Sequence, residues 1–357
     1  MKEVQIKDIC SKGSSSLKQK DLQEQGKFPV YGASGIAGYL DFYEQENEYI
    51  AIVKDGSGIG RVSFQKGKTS LIGTMQYILP KKGYDIRYIG YCLQSLDLSK
   101  YKQGAAIPHI YFRDYGERFV NITENLQDKR RIVSRLDSAF SHIDELKAKA
   151  EKQLSEAKAL FQKALAEEMK PKEGWEEKTL KEICKVINGR AYAKDEMLKE
   201  GKYRLLRVGN FFTNDSWYYS DLELDEDKYC DKGDLLYAWS ASFGPRIWDG
   251  EKVIFHYHIW KMICSSEIEK HFMFYWLDSD ELKKQTMTNL HGATMAHITK
   301  SIIENAIVVF PPLSDQHSIV TRLDALSSQV RQLEENCRKT LAECDALKQA
   351  MLREVFE

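Results

Sequence analysis

The sequence predicts an α/β (α+β) chain. Two globular domains with curled mixed sheets are separated by two long antiparallel coiled-coil helices, and the whole is a pseudo-twofold tandem repeat. Three observations carry that prediction. The 357 residues repeat themselves. Two segments hold a sustained seven-residue apolar ladder. The segments between them alternate strand-like runs with glycine turns.

The repeat is read directly. Ile132-Val133-Ser134-Arg135-Leu136-Asp137 recurs as Ile319-Val320-Thr321-Arg322-Leu323-Asp324, and over the 37 positions from Ile132 to Glu168 the ungapped match holds 15 identities. Average residue frequencies would give roughly two. Upstream, Gly104-Ala105 with His109-Ile110 echoes Gly292-Ala293 with His297-Ile298, and Ile6-Lys7-Asp8-Ile9-Cys10 echoes Leu180-Lys181-Glu182-Ile183-Cys184. Each repeat is therefore a globular part followed by a helical part. The boundaries expected are 1–125, 126–170, 171–312 and 313–357.

The first globular part has strand-like runs such as Tyr49-Ile50-Ala51-Ile52-Val53 and Gln76-Tyr77-Ile78-Leu79, and a helix-like stretch over residues 86–96. Residues 126–170 then contain no Gly and only helix-compatible residues. Leu136, Ile143, Ala150, Ala157 and Ala164 fall on one ladder. Ala139, Leu146 and Leu160 make a second row, with Leu154 one position off it. Pro171 ends this helix. The second globular part has Val253-Ile254-Phe255 and a helix-like stretch over residues 268–284. Pro311-Pro312, with Ser314 as N-cap, opens the last helix. Its ladder is Leu323, Val330, Cys337, Cys344 and Met351, with Leu326, Leu333 and Leu347 as the second row. The expected seam is therefore Leu136, Ile143, Leu146, Leu160, Leu323, Val330, Leu333 and Leu347. Two such helices in one chain most simply pair with each other, each about 65 Å long at about 1.5 Å per residue.

Composition excludes several classes. With 43% hydrophobic and 11% aromatic residues the chain can bury cores, so global disorder is excluded. A formal net charge of −1 argues against a uniformly basic nucleic-acid binder and leaves room for a local basic groove. The first ten residues lack an apolar signal core, and no run of 18 apolar residues exists, so a cytoplasmic chain without membrane contact is expected. Seven widely spread cysteines without a CxxC pair suit free thiols in a reducing compartment.

Catalytic signatures are scarce. Gly56-Ser57-Gly58-Ile59-Gly60 follows a charged Lys54-Asp55 and opens no amphipathic helix, which argues against a dinucleotide or S-adenosylmethionine loop. There is no Walker loop and no Asn/Asp-Pro-Pro-Tyr/Phe segment. Glu226-x-Lys228 alone does not make a nuclease motif. His256-x-His258 and His291-x5-His297 lack companions at metal spacing, so no metal site and no catalytic residue is expected. What remains is loops rich in Gly, hydroxyl and aromatic residues. Such loops can bring backbone donors, hydroxyls and an Arg against phosphates and base edges.

These features together resemble the specificity subunit of type I restriction–modification systems, over the whole chain. The residues that carry the resemblance in the first domain are Phe28-Pro29-Val30-Tyr31-Gly32-Ala33-Ser34-Gly35-Ile36-Ala37-Gly38-Tyr39 and Lys54-Asp55-Gly56-Ser57-Gly58. In the second they are Gly233-Asp234-Leu235-Leu236-Tyr237-Ala238-Trp239-Ser240 and Gly292-Ala293-Thr294. Phe310-Pro311-Pro312-Leu313-Ser314-Asp315-Gln316, leading into the repeated Ile-Val-x-Arg-Leu-Asp, is the most specific of them. The first junction departs from this pattern: Val120-Asn121-Ile122-Thr123-Glu124-Asn125 stands where the Pro-Pro would be.

The resemblance implies a reader of double-stranded DNA without chemistry of its own. Each globular part would be a target-recognition domain for half of a bipartite, asymmetric site. The helices would set the spacer and dock two methyltransferase subunits, and two restriction/motor subunits would complete the enzyme. S-adenosylmethionine, ATP and Mg²⁺ would belong to those partners, and this chain would hold no cofactor. Candidate DNA contacts in the first domain are Lys54, Ser57, Arg61, Lys68, Lys102, Gln103 and His109. In the second they are Arg190, Arg207, Asn210, Trp239, Ser242, Arg246, Lys261, His291 and His297. Arg and Lys would hold phosphates or read guanine, and Asn and Gln would read adenine. Residues 1–125 carry a net +3 and residues 171–312 a net −4. The second reader is therefore expected to bind DNA more weakly alone, with methyltransferase partners supplying much of the phosphate neutralisation. The alternatives are a self-sufficient methyltransferase or nuclease, and a coiled-coil scaffold that binds no DNA.

Overall fold

The computed structural model describes residues 2–104, 108–240, 242–287 and 298–356. The chain divides into two compact units, Met1–Glu151 with Asn336–Glu357, and Lys152–Glu335. The units follow one plan, a mixed α/β globular part packed on part of two long helices.

In the first unit, Lys2–Gln5 and Phe119–Ile122 pair as an antiparallel ribbon. A one-turn helix, Ile6–Ile9, follows, with Ile6 and Ile9 buried. Four antiparallel strands come next in the order Cys10–Ser14, Met75–Pro80, Tyr49–Val53, Val62–Gln65. Tyr49–Val53 is buried at every position, as a central strand covered on both faces must be. Phe28–Gly32 pairs antiparallel with Gly35–Leu40 and parallel with Ser70–Leu71. The second unit repeats the sequence of events: a ribbon of Glu176–Thr179 and Ile307–Phe310, a one-turn helix Leu180–Ile183, then sheets. One sheet orders Cys184–Asn188, Ile259–Cys264, Leu235–Ser240, Ser242–Ile247. The other orders Tyr218–Ser220, Tyr203–Leu206, Val253–Phe255, Tyr229–Cys230, with one parallel pairing. The helix-like stretch expected over 268–284 is two helices, Lys270–Asp278 and Asp280–Met287. Ser279 breaks them: its backbone is extended, and its hydroxyl donates to the Trp276 carbonyl while accepting from the Glu281 amide.

The long helices are Leu126–Glu168 and Leu313–Phe356. Within the first unit Arg135 pairs with Glu354, Asp144 with Lys348 and Lys147 with Asp345. Within the second, Lys158 pairs with Glu334 and Glu168 with Arg322. Partner numbers fall as the first numbers rise, which is antiparallel pairing. At the first junction Asn125 takes the place of the Pro-Pro: its side-chain oxygen accepts the amides of Gln127 and Asp128. At the second, Ser314 is not the N-cap. The helix starts at Leu313, the Pro312 carbonyl accepts the amides of Asp315 and Gln316, and the Ser314 hydroxyl is turned to the Asp315 carboxylate.

The seam is also corrected. Leu136, Ile143 and Leu323 are buried and Val330 and Leu333 partly so, but Leu146, Leu160 and Leu347 are 56%, 62% and 52% exposed. The second inward row lies one position further on, at Phe140, Leu154 and Phe161. The cause is the globular part, whose helix claims part of the inner face. Phe140 meets Tyr91 edge-on at 5.4 Å and Phe161 approaches Tyr275 at 6.3 Å. A leucine on the abandoned row should be nearly dispensable for stability. Leu160→Gln is expected to move the urea midpoint by no more than about 0.5 kcal/mol of stability. A loss above about 1 kcal/mol would return Leu160 to the seam.

The repeated aspartate explains itself here. Asp137 accepts from Arg87 and Tyr91, both on helix Ile86–Ser95. Asp324 accepts from Tyr275 at 2.7 Å and faces His271 at 3.6 Å, both on Lys270–Asp278. In each unit this clasp ties the helix of the globular part to the long helix behind it.

Candidate nucleic-acid interface

In the first unit the loop 54–61 turns on three glycines in the left-handed region, Gly56, Gly58 and Gly60. At Gly60 a side chain is also barred by space, since a Cβ would lie 2.8 Å from the Ser99 amide nitrogen. A strand, Val62–Gln65, follows the loop, so the glycines serve turns and open no helix. The loop is fastened to residues 108–110. Asp55 bridges His109, the Ile110 amide donates to the Lys54 carbonyl, and Gln103 and His109 exchange backbone hydrogen bonds at 2.8 Å.

Lys54, Ser57, Gln103 and His109 are thereby brought together. His109 Nδ1 meets Asp55 Oδ1 at 2.7 Å, its ring faces Tyr111, and Arg113 lies over Tyr111 at 4.7 Å. Tyr111 and Arg113 were not among the sequence candidates, although an exposed aromatic two residues from His109 was the available signal. Lys102 is exposed beside Gln103, whose amide donates to Asp114. Arg61 donates to the Ala33 carbonyl and so draws in the 31–39 hairpin. Lys68 is held elsewhere, bonded through its amide to Gln45 and paired with Glu46 at 3.8 Å.

In the second unit a cavity of about 490 Å³ gathers Arg207, Asn210, Trp217, Tyr218, His256 and His258. Asn210 is buried and both its amide hydrogens are used, on the carbonyls of Asn214 and Ser216, so it shapes the 213–218 loop. Arg207 differs. Its guanidinium lies 5.3 Å over the Tyr218 ring, and among the described residues it has no carboxylate or carbonyl partner. Tyr218 is 41% exposed at the rim.

Burial, together with the neighbouring His258 and the Arg207 guanidinium, pushes the His256 imidazole down to about 4. It is therefore neutral near pH 7; its Nδ1 accepts from the His258 amide at 3.5 Å, which leaves Nε2–H as the donor. Because the folded value lies below the ordinary 6.5, the unfolded chain binds more protons between those values. Stability is then full above about pH 6.5 and falls as pH drops towards 4. The expected loss is on the order of 2 kcal/mol. Comparing urea midpoints of wild type and His256→Gln at pH 7 and pH 4.5 checks it. An unchanged pH slope in the variant would reject it.

Four other candidates of this unit, Trp239, Arg246, Arg190 and Lys261, are occupied. Trp239 stacks on Trp260 at 5.4 Å and donates its indole N–H to the Tyr257 carbonyl. Arg246 donates to the Phe211 carbonyl and to Asp249. Arg190 makes two bonds to Glu196, at 2.9 and 2.7 Å. Lys261 is largely buried between Asp234 and the Tyr229 carbonyl. Ser242 is exposed at the start of Ser242–Ile247, which pairs antiparallel with Leu235–Ser240. His291, His297 and Gly292-Ala293-Thr294 lie outside the described residues. Sequence reasoning passed over His256, His258, Trp217 and Tyr218 as contacts, and over exposed Phe212, Phe243 and Tyr257. Among the described residues no His, Cys, Asp and Glu group could hold a metal ion.

Known proteins match this arrangement. The family described as "Type I restriction modification DNA specificity domain" matches residues 1–156 and again 172–343. The chain belongs to the type I restriction–modification DNA specificity family. The type I restriction enzyme MjaVIII specificity subunit of Methanocaldococcus jannaschii is 25% identical, over 92% of this chain and 86% of that one. A putative type I restriction enzyme specificity subunit of Haemophilus influenzae is 23% identical, over 93% and 88%. A chain from a structure of type I restriction–modification complex assembly superposes with a TM-score of 0.70 at 17% identity, covering 99% of this chain and 96% of that chain. The two family matches coincide with the two halves of the repeat. This chain is thus a specificity subunit with two readers, and none of its described helices is long and apolar enough to cross a membrane.

Proposed function

We propose that each reader binds one half of a bipartite, asymmetric duplex DNA site, that the paired helices set the spacer, and that the chain itself performs no chemistry. The observation that carries this is the contrast between the two readers. They share ribbon, short helix and clasp, yet one offers Lys54, Ser57, Gln103 and His109 and the other offers Arg207, His256 and His258. Equal frames with unequal faces suit unequal half-sites.

Two methyltransferase subunits dock on the helices in this reading. The exposed Leu146, Leu160 and Leu347, apolar residues on otherwise charged surfaces, support such docking. Two restriction/motor subunits join them. S-adenosylmethionine for adenine-N6 methylation, and ATP and Mg²⁺ for translocation and cleavage, belong to those partners, and the complex works in the cytoplasm. In cells carrying the chain with its methyltransferase, methylome sequencing should show one bipartite, asymmetric adenine-methylated motif. A contiguous palindrome, or no motif with an active methyltransferase, would reject the reading.

A further inference from the structure

The repeat places Cys10 and Cys184 at equivalent positions, each opening the first strand of its sheet. Their cross-strand partners differ. Cys10 faces Pro80, whereas Cys184 faces Cys264. The register makes the second pair close. Ser265 donates to the Ile183 carbonyl and Gly189 to the Ile259 carbonyl, so hydrogen-bonded positions in this ladder fall on 183/265 and 189/259. Cys184 and Cys264 therefore stand opposite each other at a non-hydrogen-bonded position, where Cα atoms are about 4.5 Å apart. That separation lies inside the range of about 4.4–6.8 Å that a disulfide spans.

We propose that Cys184 and Cys264 form a reversible thiol–disulfide site in the second unit, oxidised by a hydroperoxide such as hydrogen peroxide.

The two sulfurs have different roles. Cys264 is partly exposed and Cys184 is buried. A hydrogen bond from Cys184 holds the Cys264 thiol below its usual range, with the Lys270 ammonium adding to the effect against burial. The same bond and burial push the Cys184 thiol up. Cys264 thus supplies the thiolate. It attacks one peroxide oxygen, the O–O bond breaks and the other oxygen leaves as water once protonated, giving a sulfenic acid on Cys264. Cys184 sulfur then attacks Cys264 sulfur, the S–O bond breaks, and the Cys184 proton leaves with a second water. One peroxide is reduced to two waters while two thiols become a disulfide, and a dithiol reductant reverses the change.

The bond would cross-link Cys184–Asn188 to Ile259–Cys264, which in turn pairs with the strand that carries Trp239. It closes a loop holding most of the second reader, so the oxidised form should unfold at a higher temperature, by about 5 °C. The first unit supplies an internal control. Cys10 and Cys92 lie near each other in its core, but both are buried and burial pushes both thiols up to about 12.

The thiol chemistry is independent of DNA reading. The full chain is treated with hydrogen peroxide, its remaining thiols are blocked with N-ethylmaleimide, and the digest is mapped by mass spectrometry. The expected result is one linked peptide, Cys184 to Cys264, with five of the seven cysteines still blocked by the reagent and the link removed by dithiothreitol. In Cys184→Ser, Cys264 should accumulate sulfenic acid that dimedone traps. Oxidation of Cys264 to sulfinic acid without a linked peptide in the wild type would overturn the proposal. So would a Cys10–Cys92 link forming first, or no oxidation of either Cys184 or Cys264. The wild-type map decides the matter even where the serine variant fails to fold.

Discussion

Replacing Arg207 with alanine is expected to weaken binding of the methyltransferase complex to its cognate duplex by about 10- to 100-fold, the worth of one base- or phosphate-holding guanidinium. The reason is its freedom. Arg190 and Arg246 are spent on Glu196, on Asp249 and on a backbone carbonyl, whereas among the described residues the Arg207 guanidinium has the Tyr218 ring beneath it and no carboxylate or carbonyl partner. An aromatic platform holds the guanidinium plane without using its donors. Arg207→Lys keeps the charge but not the planar fork, and should recover only part of the loss. Arg190→Ala should lower stability more than it lowers affinity. Fluorescence anisotropy on the cognate duplex, with urea unfolding of each variant beside it, separates these effects. An Arg207→Ala complex that binds within about twofold of wild type would remove Arg207 from the interface.

Gln316→Ala is expected to cost about 3 kcal/mol of stability in the second unit. Gln316 is fully buried at the start of the last helix. Its oxygen accepts the Glu269 amide at 2.8 Å, and its nitrogen donates to the carbonyls of Glu267 and Pro311 at 2.9 and 2.8 Å. Glu269 in turn caps Lys270–Asp278 by accepting from the Phe272 amide. Truncation strands one donor and two acceptors away from water. Gln316→Glu keeps the acceptor but turns a negative oxygen on a carbonyl, so it should do no better at neutral pH. Urea unfolding followed by tryptophan fluorescence measures both. A cost below about 1 kcal/mol would mean that water replaces the amide.

Much of the architecture was legible because duplication leaves its mark in the letters themselves. The match from Ile132 to Glu168 announced two helices, and strand-like runs such as Tyr49–Val53 announced the sheets. The seam was only half legible. Apolar residues stand on both sides of the Leu136–Ile143 ladder, and periodicity could not say that Tyr91 and Tyr275 would claim the Phe140 and Phe161 side. Contacts were least legible. Residue type marked Arg190, Arg207 and Arg246 alike, and only folding reveals which carries a carboxylate beside it. His256 gained its neutral state from burial that no local pattern encodes.

The clasps at Asp137 and Asp324 also set a compatibility rule for grafting. A foreign reader spliced in before Leu313 would leave Asp324 behind on the host helix and bring its own counterpart of Lys270–Asp278. Such a chimera keeps its footing only if the incoming helix presents a hydroxyl where Tyr275 stands and a cationic or neutral donor where His271 stands. An acidic residue at either place would set two carboxylates face to face. Interchangeable reading heads therefore have a two-residue socket, which can be screened before any chimera is made.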